Sequence, residues 1–289
     1  MSEILVTGGA GYVGLPLCKL LRDHGHVVTV IDNGTSGAAR LEAVSAYSRV
    51  IECDITDRRA CYRSIQTAMP EIVIHLAAIH FIPECNRRPV DAVRVNVLGT
   101  QHVLDACADL GRVSRVLVTS SAAVYPIADD YLSEAHPIGP TDIYGICKAT
   151  NEWQAAQFAA ATEIQTVVVR LFNVFGPGET NPHVIPEIID QLKAGKSRLA
   201  LGNTAPKRSY VYVDDVVLGF EAMATSKLAD TFTILNLGHR DEASVLDLLR
   251  YISAFTKKEL TVEESPERIR ASDRLYLRCD SSRATQLTG

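Results

Sequence analysis

A chain of 289 residues, 47% hydrophobic and 22% charged, can bury a large core as one big domain or two lobes. Its formal charge of -5 gives no reason to expect nucleic acid or an acidic membrane surface as a partner, so an anionic ligand must be held by local groups. The longest apolar runs are far too short to span a bilayer, and the opening "MSEILVTGG" shows no secretory signal, which sets the expectation of a cytoplasmic protein away from membranes.

In chain order, apolar β-branched runs of strand length recur at "EILVT" (3–7), "VVTVI" (27–31), "RVIEC" (49–53), "EIVIHLA" (71–77), "RVLVTS" (115–120) and "TVVVRLF" (166–172). Stretches with 3.6-residue spacing lie between them, among them 90–111 and 149–162. Near-continuous apolar strands alternating with helices predict an α/β fold with a doubly wound parallel sheet covered on both faces. The pattern holds to about Phe172, after which proline and glycine grow denser and the strands shorter, predicting a smaller second lobe from 173. Runs such as "YVYV" (210–213) are free to return to the first lobe.

The first strand leads straight into "TGGAGYVGLPLCKLL", with Gly8, Gly11 and Gly14 spaced by three and an amphipathic helix after them. Glycine lets backbone approach a pyrophosphate closely, and a helix N-terminus offers free N–H groups and a positive dipole end. Asp32 ends the second strand, where a carboxylate can accept hydrogen bonds from ribose hydroxyls and repel a 2′-phosphate, favouring NAD over NADP. Asp54 closes the third strand within reach of an adenine amine, although aspartate also caps helices. The cysteines at 18, 53, 61, 85, 107, 147 and 279 form no Cys-x-x-Cys, and the histidines no His-x-x-x-His. Buried thiols in a reducing compartment and no metal are the expectation.

Further on, "PTDIYGICKATNEW" sets Tyr144 and Lys148 four residues apart. On a helix such a pair shares a face, which by itself says little. Chemically, an ammonium beside a phenol favours the phenolate. The fifth strand weighs in here, because it ends in "VTSSAAVYP" and puts Ser120 and Ser121 at the carboxyl edge where open α/β sheets bind ligands. Ser121 would hydrogen-bond a substrate oxygen, Tyr144 would exchange its proton, and Lys148 would hold the ribose while acidifying the phenol.

With these motifs together, the sequence resembles the extended short-chain dehydrogenases/reductases, in particular the NAD-dependent nucleotide-sugar epimerase/dehydratase group. The resemblance rests on "TGGAGYVG", Asp32, "DI" at 54–55, "HLAA" at 75–78, Asn96 in "NVLGT", "SSAAVY", "YGICK", "RLFNVFGPG" and "RSYVYVDD". It implies a Rossmann NAD-binding domain over 1–172 and a mixed α/β substrate-binding lobe over 173–289. It also implies that Tyr12, Val13, Asn33, Ile55, Leu76, Ala77, Ala78, Asn96 and Phe172 line the cofactor site beside the glycines, Asp32 and Asp54. Ser121, Tyr144 and Lys148 match the catalytic positions, Asn173, Arg208 and Arg270 those that hold a sugar-nucleotide diphosphate, and His80 one that faces the sugar. A homodimer through helices 90–111 and 144–162, with Val93, Val97, Leu104 and Phe158 among its apolar residues, is expected on the same ground.

The departures narrow the chemistry. Where 4,6-dehydratases carry Thr-Asp-Glu this chain has Ser121-Ala122-Ala123, and Ala123 also leaves no glutamate of the kind decarboxylases carry. The loop "GNTAPKR" before Arg208 lacks a second glycine that relatives often have, and they usually continue beyond "DSSRATQLTG". The expected activity is NAD-dependent epimerisation of a nucleotide-diphosphate sugar at C4 through a 4-keto intermediate. Net oxidoreduction, 4,6-dehydration and a non-catalytic NAD-sensing role are the alternatives.

Overall fold

The computed structural model describes residues 1–179, 181–265 and 274–289. The first half alternates as the apolar pattern predicts: β1 (Glu3–Thr7), α1 (Gly14–Asp23), β2 (Val27–Asp32), α2 (Ala38–Ser45), β3 (Arg49–Glu52), α3 (Arg58–Ala68) and β4 (Ile72–His75). There follow α4 (Ile82–Arg87), α5 (Pro89–Val93), a π segment at Arg94–Gly99, α6 (Thr100–Leu110), β5 (Arg115–Ser121), β6 (Tyr131–Leu132), α7 (Ile143–Thr162) and β7 (Gln165–Leu171). Local chemistry sets the helix limits. The Asp57 carboxylate accepts from the N–H groups of Arg59 and Ala60, both at 3.0 Å, to start α3, and Asp142 accepts from Gly145 N–H at 2.8 Å to start α7. Both helices end on left-handed residues, Met69 and Glu163.

The remainder comprises β8 (Asn173–Phe175), α8 (Val184–Lys193), β9 (Arg198–Leu201), β10 (Lys207–Tyr212), α9 (Val213–Thr225), β11 (Phe232–Leu237), β12 (Glu242–Ser244), α10 (Val245–Thr256), β13 (Thr261–Glu264), β14 (Tyr276–Cys279) and α11 (Ser282–Thr288). Seven parallel strands form one sheet in the order β11-β7-β5-β4-β1-β2-β3. The order reverses direction between β1 and β4, and the crevice beyond those two carboxyl ends is where such sheets take ligands. A second, mixed sheet runs β12-β10-β14-β6 with β8 on β10, and β9 pairs with β13.

Pleating sends alternate residues of β1 to opposite faces. Ile4 and Val6 join Leu17, Cys18 and Leu21 of α1 and Phe220 of α9, whereas Leu5 joins Ile65 of α3, Leu104 of α6 and Phe158 of α7. Leu17 and Leu21 are fully buried, and each such side chain contributes about 1.5–3 kcal/mol. That outweighs the roughly 1 kcal/mol forgone because α1 has no side-chain cap. Packing therefore holds the helix while its N-terminus stays open.

Four expectations need correction. The run 210–213 does not return to the first sheet, since β10 pairs with β8, β12 and β14; the returning strand is β11, parallel to β7. With β6 of the first half joined to β14, a cut at 172 does not separate the two sheets. The helix over 90–111 contains the π segment, which spans the fully buried Asn96 and the Gly99 that lies against Ile55. Leu104 and Phe158 fill the core, so they are not exposed apolar residues of a helix face. All seven cysteines are buried free thiols. Among the described residues no helix is long and apolar enough to cross a membrane, and no group of three His, Cys, Asp or Glu is disposed to hold a metal.

Candidate active site

The glycine loop hangs between β1 and α1 over the switch point. A Cβ on Gly8 would lie 2.8 Å from the Ala77 backbone, and one on Gly14 only 2.4 Å from the Gly8 carbonyl oxygen. Only glycine fits there, and the loop is thereby pressed against the sheet edge. Val13 stands at the uncapped start of α1, whose first turn has no acidic side chain, so the positive end of the helix dipole is not neutralised there. Asp32 is 7% exposed and accepts from Ala10 N–H at 3.0 Å and Gly34 N–H at 2.8 Å, one on each oxygen. Each oxygen keeps a second acceptor site for a ribose hydroxyl. The Tyr12 hydroxyl is buried without a hydrogen-bond partner beside the Gly176 turn, an orphaned polar group on the wall of the same loop. Open helix N-terminus, glycine cradle and strand-tip carboxylate together suit a dinucleotide. Arg40, which sequence reasoning missed, donates to the carbonyls of Ala10 (2.7 Å), Gly11 (2.9 Å) and Gly178 (3.3 Å), fixing the loop from outside.

Neighbouring predicted residues fall around this cradle with different roles. Asn33 donates to Asp54 at 3.5 Å. Burial opposes ionisation of Asp54, but hydrogen bonds from Thr56 and Asn33 bring its carboxyl below the ordinary value. Ile55 packs on Gly99. Leu76, Ala77 and Ala78 form the turn after β4, tied by Leu76 N–H to Thr7 O at 3.1 Å. Asn96 acts on that turn from behind: its amide exchanges two bonds with the Ile79 backbone, at 2.8 and 2.9 Å. Its side chain is spent on shaping the loop. Phe172 is also buried, its ring tilted against Tyr125 at 6.3 Å. His75 lies 2.7 Å from Thr7 Oγ1 through Nδ1 and 2.9 Å from Thr100 Oγ1 through Nε2. Thr100 already donates to Asn96 O, so Nε2 carries a proton, and in the neutral ring Nδ1 then accepts from Thr7. Burial drives the imidazole pKa down to about 3.

Ser121, Tyr144 and Lys148 converge at the carboxyl end of β5. Ser121 ends the strand, and its hydroxyl accepts from Ala123 N–H at 3.2 Å while hydrogen-bonding Tyr144. Lys148, 3% exposed, donates from Nζ to Thr119 O at 2.8 Å, with Nζ 5.8 Å from the Tyr144 ring centroid. Burial lowers the ammonium to about 8. The expected acidification of the phenol by Lys148 is not what the structure gives. Burial dominates and pushes Tyr144 up, and the hydrogen bond from Ser121 offsets only part of it.

On the facing side, His80 sits in the cleft, its Nε2 accepting from Asn181 Nδ2 at 2.7 Å. Although solvent reaches the ring, surrounding protein lowers its pKa. Asn173 opens β8 and is exposed, and Arg208 lies on β10 with Nη1 donating to Lys207 O at 3.0 Å. Arg270 lies outside the described residues. Arg274, another residue missed from sequence, donates to Pro126 O at 3.3 Å and Thr141 Oγ1 at 3.2 Å, beside the serine turn and the start of α7.

Comparison with known proteins fits this geometry. The sequence profile of the NAD dependent epimerase/dehydratase family matches residues 4–238. UDP-glucose 4-epimerase of Corynebacterium glutamicum is 30% identical, with 99% of this chain and 90% of that protein covered. UDP-N-acetyl-alpha-D-glucosaminuronate decarboxylase of Bacillus cytotoxicus is 28% identical over 92% of this chain and 84% of its own. Among solved structures, UDP-glucose 4-epimerase of Thermotoga maritima with UDP-glucose superimposes with a TM-score of 0.88 at 26% identity, covering 98% of this chain and 91% of that one.

Proposed function

The chain belongs to the NAD dependent epimerase/dehydratase family and is an NAD-dependent enzyme of nucleotide-sugar modification; on that premise we propose that it epimerises a nucleotide-diphosphate sugar at C4 through a transient 4-keto sugar. The observation that carries this reading is a complete Ser121, Tyr144 and Lys148 set in which Ser121 is followed by Ala122 and Ala123. Eliminating water across C5 and C6 needs a base and an acid, which that turn does not supply.

NAD, when bound, supplies a reversible hydride acceptor, and Gly8, Gly11, Gly14, Val13 and Asp32 would hold it. Tyr144, entering the step as the phenolate, takes the C4 hydroxyl proton and later returns it to the keto oxygen. Ser121 bonds that oxygen and keeps it beside the phenol. Lys148, with Nζ 5.8 Å from the ring centroid, is the positive charge nearest that phenolate and is assigned to offset part of the cost that burial imposes on it. Asn173, Arg208 and Arg270 are assigned to the diphosphate, His80 to the sugar, and the reaction to the cytoplasm. Val90, Val93 and Leu98 on the rod from α5 to α6, with Ile146 and Trp153 on α7, are exposed, which supports a homodimer through these helices.

The test is turnover of nucleotide sugars in deuterated water with no added cofactor. The proposal expects a configurational isomer of unchanged mass, without deuterium at carbon and without net NADH. A product lighter by one water, or stoichiometric NADH, refutes it. Tyr144→Phe should lose at least about a hundredfold in kcat while still binding NAD.

A further inference from the structure

Three residues spaced by four on α7 meet three consecutive residues of β5. Tyr144 bonds Ser121, Lys148 donates to Thr119 O at 2.8 Å, and Glu152 accepts from the Ser120 hydroxyl at 2.6 Å. Glu152 is held in turn by Arg170 of β7, with Nε to Oε1 at 2.9 Å and Nη2 to Oε2 at 2.7 Å, both side chains 2% exposed. Arg170 Nη1 also donates to the Tyr125 hydroxyl at 2.9 Å, which donates to Asn236 Oδ1 at 2.7 Å. Asn236 ties that end down through Leu132 O at 2.7 Å and Asp280 O at 3.0 Å. The C4 reaction makes no use of Glu152, Arg170 or Tyr125.

A buried ion pair is weak evidence for stability, since apolar residues of similar volume do as well. What this one supplies is geometry, a bidentate fork that fixes both its partners. We propose that Glu152 and Arg170 are positioning residues that lock the proton-transfer face of α7 in register with the end of β5, so that Ser121, Tyr144 and Lys148 meet. Tyr125 and Asn236 anchor the lock to the second sheet. The inference rests on the reading of Ser121, Tyr144 and Lys148 given above. Around Lys148 the ionisable groups are Cys147, Cys85 of α4, His75 of β4, His80, and Asp142 and Tyr144 toward the helix start.

The experiment uses the NAD-saturated protein and three variants. Glu152→Gln with Arg170→Met keeps volume and leaves no unpaired buried charge. This pair should hold NAD affinity and nucleotide-sugar KM within about threefold yet lose at least about tenfold in kcat, as misaligned reacting groups do. Ser120→Ala, which removes only the strand bond and spares the ion pair, should lose kcat in the same direction. A folded double variant, or a Ser120→Ala protein, with wild-type kcat overturns the proposal. If the double variant does not fold, Ser120→Ala decides alone. Tyr144→Phe run alongside separates the two failures: unimpaired turnover there removes the underlying reading, whereas a dead Tyr144→Phe with unimpaired positioning variants removes this inference only.

Discussion

Alanine at Gly11 and alanine at Gly14 should damage different properties of one loop. At Gly14 the new methyl would meet the Gly8 carbonyl oxygen at 2.4 Å and Gly9 Cα at 2.7 Å, backbone atoms that cannot rotate aside. Overpacking costs about 1–3 kcal/mol, and contacts this short belong at the upper end. Alanine's better helix propensity returns only about 1 kcal/mol, leaving a net loss of about 2 kcal/mol. For a chain of 289 residues that lowers Tm by about 3 °C. At Gly11 the methyl has one neighbour, Gly8 O at 3.0 Å, and otherwise stands on the open side of the loop. The fold should tolerate it, but a pyrophosphate kept at a distance loses a charge-assisted bond of about 1.5–3 kcal/mol. NAD affinity should then fall about 10–100-fold. Thermal unfolding without cofactor and calorimetric NAD titration measure both effects. A Gly11→Ala protein that binds NAD as wild type does, or a Gly14→Ala protein with an unchanged midpoint, refutes the reasoning.

Asp32→Ala should narrow the preference for NAD over NADP by at least about tenfold in measured affinities, because the repelling carboxylate is gone. It should also cost about 1–3 kcal/mol of stability, since Ala10 and Gly34 N–H lose their acceptor. Burial holds His75 at about 3 against an ordinary 6.5, so the unfolded chain takes up its proton first on acidification. The stability this confers is whole above about 6.5 and is lost as pH falls toward 3; urea midpoints should drop through that window, and less steeply in His75→Gln. Trp153, 63% exposed on α7, should be essential to a dimer, so Trp153→Glu should give a monomeric mass by light scattering at micromolar concentration; an unchanged mass counts against the proposed interface.

Much of the first sheet was legible because strands buried on both faces must be apolar throughout, and the observed limits of β1, β5 and β7 lie within a residue of the apolar runs. The glycine loop and the meeting of Ser121 with Tyr144 were legible too, because backbone clearance and i,i+4 spacing are local. What was not legible depends on contacts between distant residues. The π segment carries Asn96, which grips Ile79, and the return of β11 rests on its pairing with β7. Arg40 and Arg274 look like ordinary surface arginines until their carbonyl partners are known. Periodicity marked Leu104 and Phe158 as apolar without saying which side of the helix faces the core. The phenol went astray because burial acts against ionisation more strongly than the hydrogen bond from Ser121 acts for it.

The return of β11 also bears on how the cleft can move. The backbone leaves the large sheet after β7, enters the small one at β8, comes back through α9 to β11, and departs again at β12. A swinging hinge needs a few bendable connections between two bodies, whereas here successive passages of chain lace the bodies together and would have to flex in concert. Protein engineering meets the same constraint: scission after residue 172 would yield two pieces, each deprived of a strand that the other keeps.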